Sequence, residues 1–243
     1  MSRCIPEGPL KVFVRDVLLT YKATIPREFF LNKGDIATLV GSPNRKSIER
    51  MSKIVGNCGK VILIEPNQKN VETHYAHISL HKLGNVTIVP KAAYNEKGQA
   101  KFLIAAESGD HRLVILQITH DNDYRNENYY IKEIEVEVHT MDNIINALNI
   151  MRLDYVKIMV NGAEIHVLQG MVKMLGVTQR LFIKGHARYI ETNQPLYENI
   201  IPFLKKRGFH TRLTLPSKSV AMTIDWKERE GDVFAWRSAD SIL

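Results

Sequence analysis

Glu65, Asn161 and His186 each stand at the end of an apolar run, where an α/β chain presents side chains for chemistry. Glu65 follows KVILI and precedes Pro66-Asn67. A carboxylate there can accept hydrogen bonds from a ligand, and it can equally cap the helix that follows. Asn161 follows DYVKIMV; its amide can donate and accept, and it cannot serve as a general base. His186 follows LFIKG, and an imidazole at a sheet's carboxyl edge could take a proton near neutral pH. A loop or packing histidine is the plainer reading of the same residue. Tyr124, Tyr129 and Tyr130 beside Arg125 could stack on bases and hold a phosphate, although strand propensity also explains such tyrosines. Cys4 and Cys58 stand far apart, with no histidine at metal-ligand spacing, so no metal site is expected and both thiols are expected to be reduced.

The elements that must position these residues alternate. Ile36 to Val40 is an apolar run, Asn44 to Val55 a polar helical segment, Lys60 to Ile64 a second apolar run, residues 68 to 82 a helix and Asn85 to Val89 a third strand. Such βαβ units predict a mostly parallel sheet with helices on both faces. The middle is less regular: KFLIAA, RLVILQIT and YYIKEIEVEVH read as strands or arms around a polar loop, His120 to Asn128. Thr140 caps a helix over residues 140 to 149. A strand over Asp154 to Val160, a helix over Ala163 to Leu175, a strand over Arg180 to Lys184 and a helix over Leu196 to Lys206 follow. Strands near 209 to 214, 219 to 224 and 232 to 236 close the chain, with Gly208 as a helix stop. Residues 1 to 33 read as a strand-rich extension and residues 34 to 243 as one domain.

In order, GDIATLVGSPNRKS, GKVILIEPNQKNVE, LGNVTIVPKAAYNEKGQAKF, VEVHTMDNI, DYVKIMVNGAEIHVLQGM and PLYENIIPFLKKRGF resemble the successive motifs of the FkbM family of methyltransferases, over roughly residues 30 to 210. The resemblance implies a class I methyltransferase-like (Rossmann-like) α/β fold with a seven-stranded, mostly parallel sheet, and S-adenosylmethionine as cofactor. It implies that Gly41 lets the backbone approach the donor, that Glu65 accepts the ribose hydroxyls and that Ala92 and Ala93 flank the adenine. Asn161 and His186 would line the acceptor side. Leu39, Arg45, Met159, Asn161 and Lys184 stand where the family favours acids or glycine.

Two functions follow as expectations. One is methyl transfer, by the resemblance to an oxygen, on a small-molecule or glycan-like acceptor, with alignment rather than a base supplying the acceleration. The other is a methyltransferase-like binding or scaffold protein that has lost catalysis. With 33 basic and 26 acidic side chains the net charge is +7, which suits an anionic partner and gives nucleic acid weak support. Lys205-Lys206-Arg207, the densest basic group, sits where a helix ends and complements its dipole. No apolar run approaches the roughly 20 residues that span a bilayer, and no signal peptide opens the chain, so a cytoplasmic location is expected. The absence of G-x-G-x-x-G after the first strand argues against a nicotinamide enzyme.

Overall fold

The computed structural model describes residues 29–41, 44–106, 110–120, 129–185, 187–214 and 231–238. Most of the N-terminal extension, residues 121 to 128 with Tyr124 and Arg125, His186 and the strand expected over 219 to 224 lie outside the described residues.

In chain order the first elements are β1 (Ile36–Val40), α1 (Arg45–Val55), β2 (Lys60–Ile64), α2 (Gln68–Leu80), β3 (Val86–Val89) and β4 (Ala92–Tyr94). The middle holds β5 (Gly98–Ala105), β6 (Arg112–Leu113), β7 (Ile118–His120), β8 (Tyr130–Thr140) and α3 (Met141–Ala147). Then come β9 (Tyr155–Ile158), α4 (Glu164–Gln169), α5 (Val172–Leu175), β10 (Arg180–Gly185), β11 (Ala187–Tyr189), α6 (Tyr197–Lys205), β12 (His210–Thr214) and β13 (Gly231–Trp236).

Seven strands form one sheet in the order β12-β13-β10-β9-β1-β2-β3. The run from β10 to β3 is parallel, and β13 is antiparallel to both β10 and β12. This is the expected class I methyltransferase-like architecture. Alternation along the strands splits the core in two: Val61 and Leu63 of β2 pack with Ile48, Met51 and Val55 of α1, while Ile62 and Ile64 pack on the other face with Met141 and Ile145 of α3. Strands covered on both faces have to be apolar throughout, and hence the sequence shows runs instead of alternation. Phe29 and Leu31, the described end of the N-terminal segment, join the α1 side, with Phe29 edge-on to Phe234 at 5.1 Å.

Three expectations need correction. The helix expected over Ala163 to Leu175 is broken into α4 and α5 at Gly170, where a Cβ would stand 1.9 Å from the Tyr94 carbonyl oxygen. The chain turns there to let β4 pass. RLVILQIT is two short strands, β6 and β7, on different sheets. Cys58 is disulfide-bonded, against the reduced thiol expected of it. No helix among the described residues is long and apolar enough to cross a membrane.

Candidate functional site

The carboxyl ends of β1, β2 and β9 converge with β4 on a cavity of about 40 Å³. Gly41, Glu65, Ala92, Ala93 and Asn161 all line it, together with Met159. One further wall is Phe102, His111 and Leu113, from the β5–β6 arm.

Gly41 is required by the backbone. Its φ is +97°, its N–H donates to the Ile64 carbonyl at 3.0 Å, and a Cβ on it would meet the Met159 carbonyl oxygen at 1.9 Å. Glu65, 2% exposed, takes the capping role read for it, Oε1 accepting the Asn67 N–H at 2.7 Å at the start of α2, and its side chain borders the cavity. Asn67 is the N-cap of α2, as its position predicts, accepting from Lys69 N–H at 2.9 Å. Ala92 and Ala93 are buried and pair with Val138 and His139 of β8, so their small size serves packing as well as the cavity.

Asn161 lies in the turn after β9 with φ +54°, and its Nδ2 donates to the His111 carbonyl. Glu164, fully buried, accepts N–H bonds from Gly162 at 2.9 Å and Val160 at 3.3 Å, which gives it a structural role in that turn. Burial outweighs those bonds and pushes its carboxyl up to about 7. His111 Nδ1 accepts the Ala105 N–H at 3.0 Å, so the neutral ring carries its proton on Nε2 and is a donor rather than a base. Burial lowers its pKa and keeps it neutral.

The altered positions are scattered. Leu39 is buried in the core on the α1 side, away from the cavity. Arg45 lines a neighbouring, larger cavity of about 680 Å³ and not the one bordered by Glu65, so it does not plug the donor position. Lys184 faces Asp232 across the β10–β13 ladder. Of the five, only Met159 and Asn161 line the small cavity.

Sequence reasoning missed a further constellation. His77 and His81, four apart on α2, come together with Glu49 of α1: His77 Nε2 and His81 Nδ1 lie 3.6 and 3.8 Å from Glu49 Oε2. The spacing was visible in YAHISLH, because residues four apart share a helix face. Lys53 occupies the other Glu49 oxygen and holds that carboxyl below its ordinary range.

A sequence profile, Methyltransferase FkbM domain, matches residues 32–211. The chain belongs to this family. Among curated proteins no sequence matches it. A Streptococcus mutans methyltransferase candidate solved in complex with SAH is similar in structure, with TM-score 0.51, 12% identity and coverage of 87% of this chain and 93% of that one. Precorrin-6y C5,15-methyltransferase from Geobacter metallireducens is similar at TM-score 0.50, 13% identity and coverage of 93% and 88%. At these identities the likeness shows the fold alone. S-adenosylmethionine is the cofactor that this FkbM domain implies, and the fit of the residues is uneven. The glycine turn, the Glu65 carboxylate and the two alanines suit a nucleoside. Met159 lines the cavity where an acid toward the acceptor is expected, and 40 Å³ holds only roughly three water molecules.

Proposed function

We propose that this FkbM-family chain is an S-adenosylmethionine-dependent methyltransferase acting on an oxygen of a small-molecule or glycan-like acceptor. The observation that carries the reading is the convergence of Gly41, Glu65, Ala92 and Ala93, four residues from three segments, on one cavity at the carboxyl edge of the parallel sheet. S-adenosylmethionine supplies an electrophilic methyl group on a sulfonium. Glu65 would hold the ribose hydroxyls, Gly41 would admit the backbone to close approach, and the buried alanines would leave room for a flat base. Phe102, His111 and Leu113 would move outward on binding. No base is needed for an acceptor hydroxyl already acidic enough to lose its proton to water, because alignment supplies most of the acceleration. In this reading Asn161 orients the acceptor; His186, the next residue in the sequence after Gly185, is the base for a less acidic hydroxyl.

A second reading, a binding or scaffold protein without catalysis, is favoured by one observation. Sites for molecules of this size run to several hundred Å³, and this cavity offers about 40 Å³. Calorimetric titration with S-adenosylmethionine separates the two. Micromolar binding that Glu65→Ala abolishes supports the methyltransferase, and no heat from the unmodified protein leaves the second reading.

A further inference from the structure

His111 is also a wall of the 680 Å³ cavity. Both α1 and α2 begin on this larger cavity, through Asn44 and Arg45 on one side and Asn67 and Lys69 on the other. Among the described residues its charged lining has one sign: Arg45, Lys46 and Lys69 are there, with His74 and His77 beside them, and no carboxylate.

The helix starts carry the wrong charge for their own stability. A helix N-terminus is the positive end of its dipole and favours acids in the first turn. Neither α1 nor α2 has an acid there; α1 opens with Arg45-Lys46, and Lys69 is the second residue of α2. Glu49, one turn further along α1, is engaged by Lys53 and faces His77 and His81. Local conflicts of this kind concentrate where a site is used. An anion in the cavity removes both conflicts at once, because its charge faces two dipoles and three cations.

Three further features point to a bounded organic anion. His74, only 3% exposed, forms part of the wall. Asn70 also lines the cavity and adds a polar side chain to its wall. Ile104, Ala105 and Ile131 supply an apolar side, which an inorganic ion would not use. The volume falls in the range of small-molecule sites. Among the described residues no Phe, Tyr or Trp lines it, so these offer no platform for stacking the bases of single-stranded RNA.

We infer that the cavity between the starts of α1 and α2 binds a small phosphate-bearing organic molecule, such as a nucleotide or a sugar phosphate. This site is separate from the donor position and goes beyond the methyltransferase reading. S-adenosylmethionine is net cationic and carries one carboxylate and no phosphate, so it gains less from such a lining than a phosphate ester does.

The test is titration of the full chain at low salt with ADP, glucose 6-phosphate and adenosine, repeated with Arg45→Gln/Lys69→Gln and with S-adenosylmethionine present. ADP or glucose 6-phosphate is expected to bind in the micromolar range while adenosine does not. Affinity should fall with added salt and drop at least about tenfold in the double variant, about 1.4 kcal/mol. The ligand-free double variant should melt no lower than the parent, since it removes cations from helix starts. Lys46→Gln, expected to lose about threefold, serves if the double variant fails to fold. Saturating S-adenosylmethionine should leave phosphate-ligand affinity unchanged, and the phosphate ligands should bind equally if S-adenosylmethionine never does. Failure of both phosphate ligands to bind, equal affinity in the cationic variants, competition by S-adenosylmethionine, or preference for a single-stranded RNA oligonucleotide would each overturn the inference.

Discussion

The Asn161 side chain holds the arm that closes the donor cavity, its Nδ2 donating to the carbonyl oxygen of His111 at 3.1 Å. The sequence places Asn161 on the acceptor side; the fold also makes it a latch between the turn after β9 and the β5–β6 arm. The Phe102 and His111 rings, edge to face at 6.1 Å, stiffen that arm from within. In the methyltransferase reading a donor enters only when the arm is out, and its apparent affinity then scales with the fraction of time the arm spends open. Asn161→Gly keeps the positive φ and removes the bond. It is expected to cost about 1 kcal/mol in urea denaturation and to strengthen S-adenosylmethionine binding severalfold by calorimetry. A weaker donor affinity in this variant would show that the amide serves the ligand and not the latch.

Gly41 tests the close approach of β1 and β9. The Val40–Ile158 register and the Gly41 N–H bond to Ile64 fix the backbone on both sides, so neither strand can yield to a new Cβ 1.9 Å from the Met159 oxygen. Gly41→Ala is expected to destabilise by at least about 2 kcal/mol, from overlap and from the positive φ together. Gly98→Ala, at a position with nothing within 4 Å of the added carbon, should lie within about 0.5 kcal/mol of the parent. Equal effects at the two sites would remove the steric account of Gly41.

The order of the main strands and helices was legible because strands buried on both faces are apolar runs and the helices between them are polar. Thr140 could be read as a cap, and its Oγ1 accepts the Asn143 N–H at 3.1 Å. The three-residue strands β4 and β11 were not legible, since their pairing is set by neighbours and not by their own pattern. Gly170 was read as helix interior because the Tyr94 carbonyl that excludes a side chain there is 76 residues away in the chain. In the site, the family resemblance brought Gly41, Glu65, Ala92, Ala93 and Asn161 to one cavity. Its small volume was hidden, because Phe102, His111 and Leu113 come from the irregular middle. Arg45 read only as a bulky replacement for glycine. Its meeting with Lys69 depends on α1 and α2 packing side by side on one face of the sheet, which no local pattern reports.

His74 gives the fold a pH dependence whose direction follows from its burial. Desolvation first, then the charge of Arg45 and the neighbouring His77, lower its pKa from 6.5 to about 4. Between those values the unfolded chain binds a proton that the folded chain refuses. The stability tied to His74 is therefore complete above pH 6.5 and is lost as the pH falls toward 4. From pH 7 to pH 5 the loss from this residue is about 2 kcal/mol. Glu164 works the other way, since its raised carboxyl loses stabilising effect as the pH climbs from 4.5 to about 7. The His74 contribution is isolated by comparing the parent with His74→Leu in urea melts at the two pH values, without ligand. The variant should be the more acid-resistant, with its stability relative to the parent rising by about 2 kcal/mol from pH 7 to pH 5. Parallel losses in both proteins would mean that the imidazole stays as easily protonated in the fold as in the unfolded chain, and that its place in the cavity wall is not desolvated.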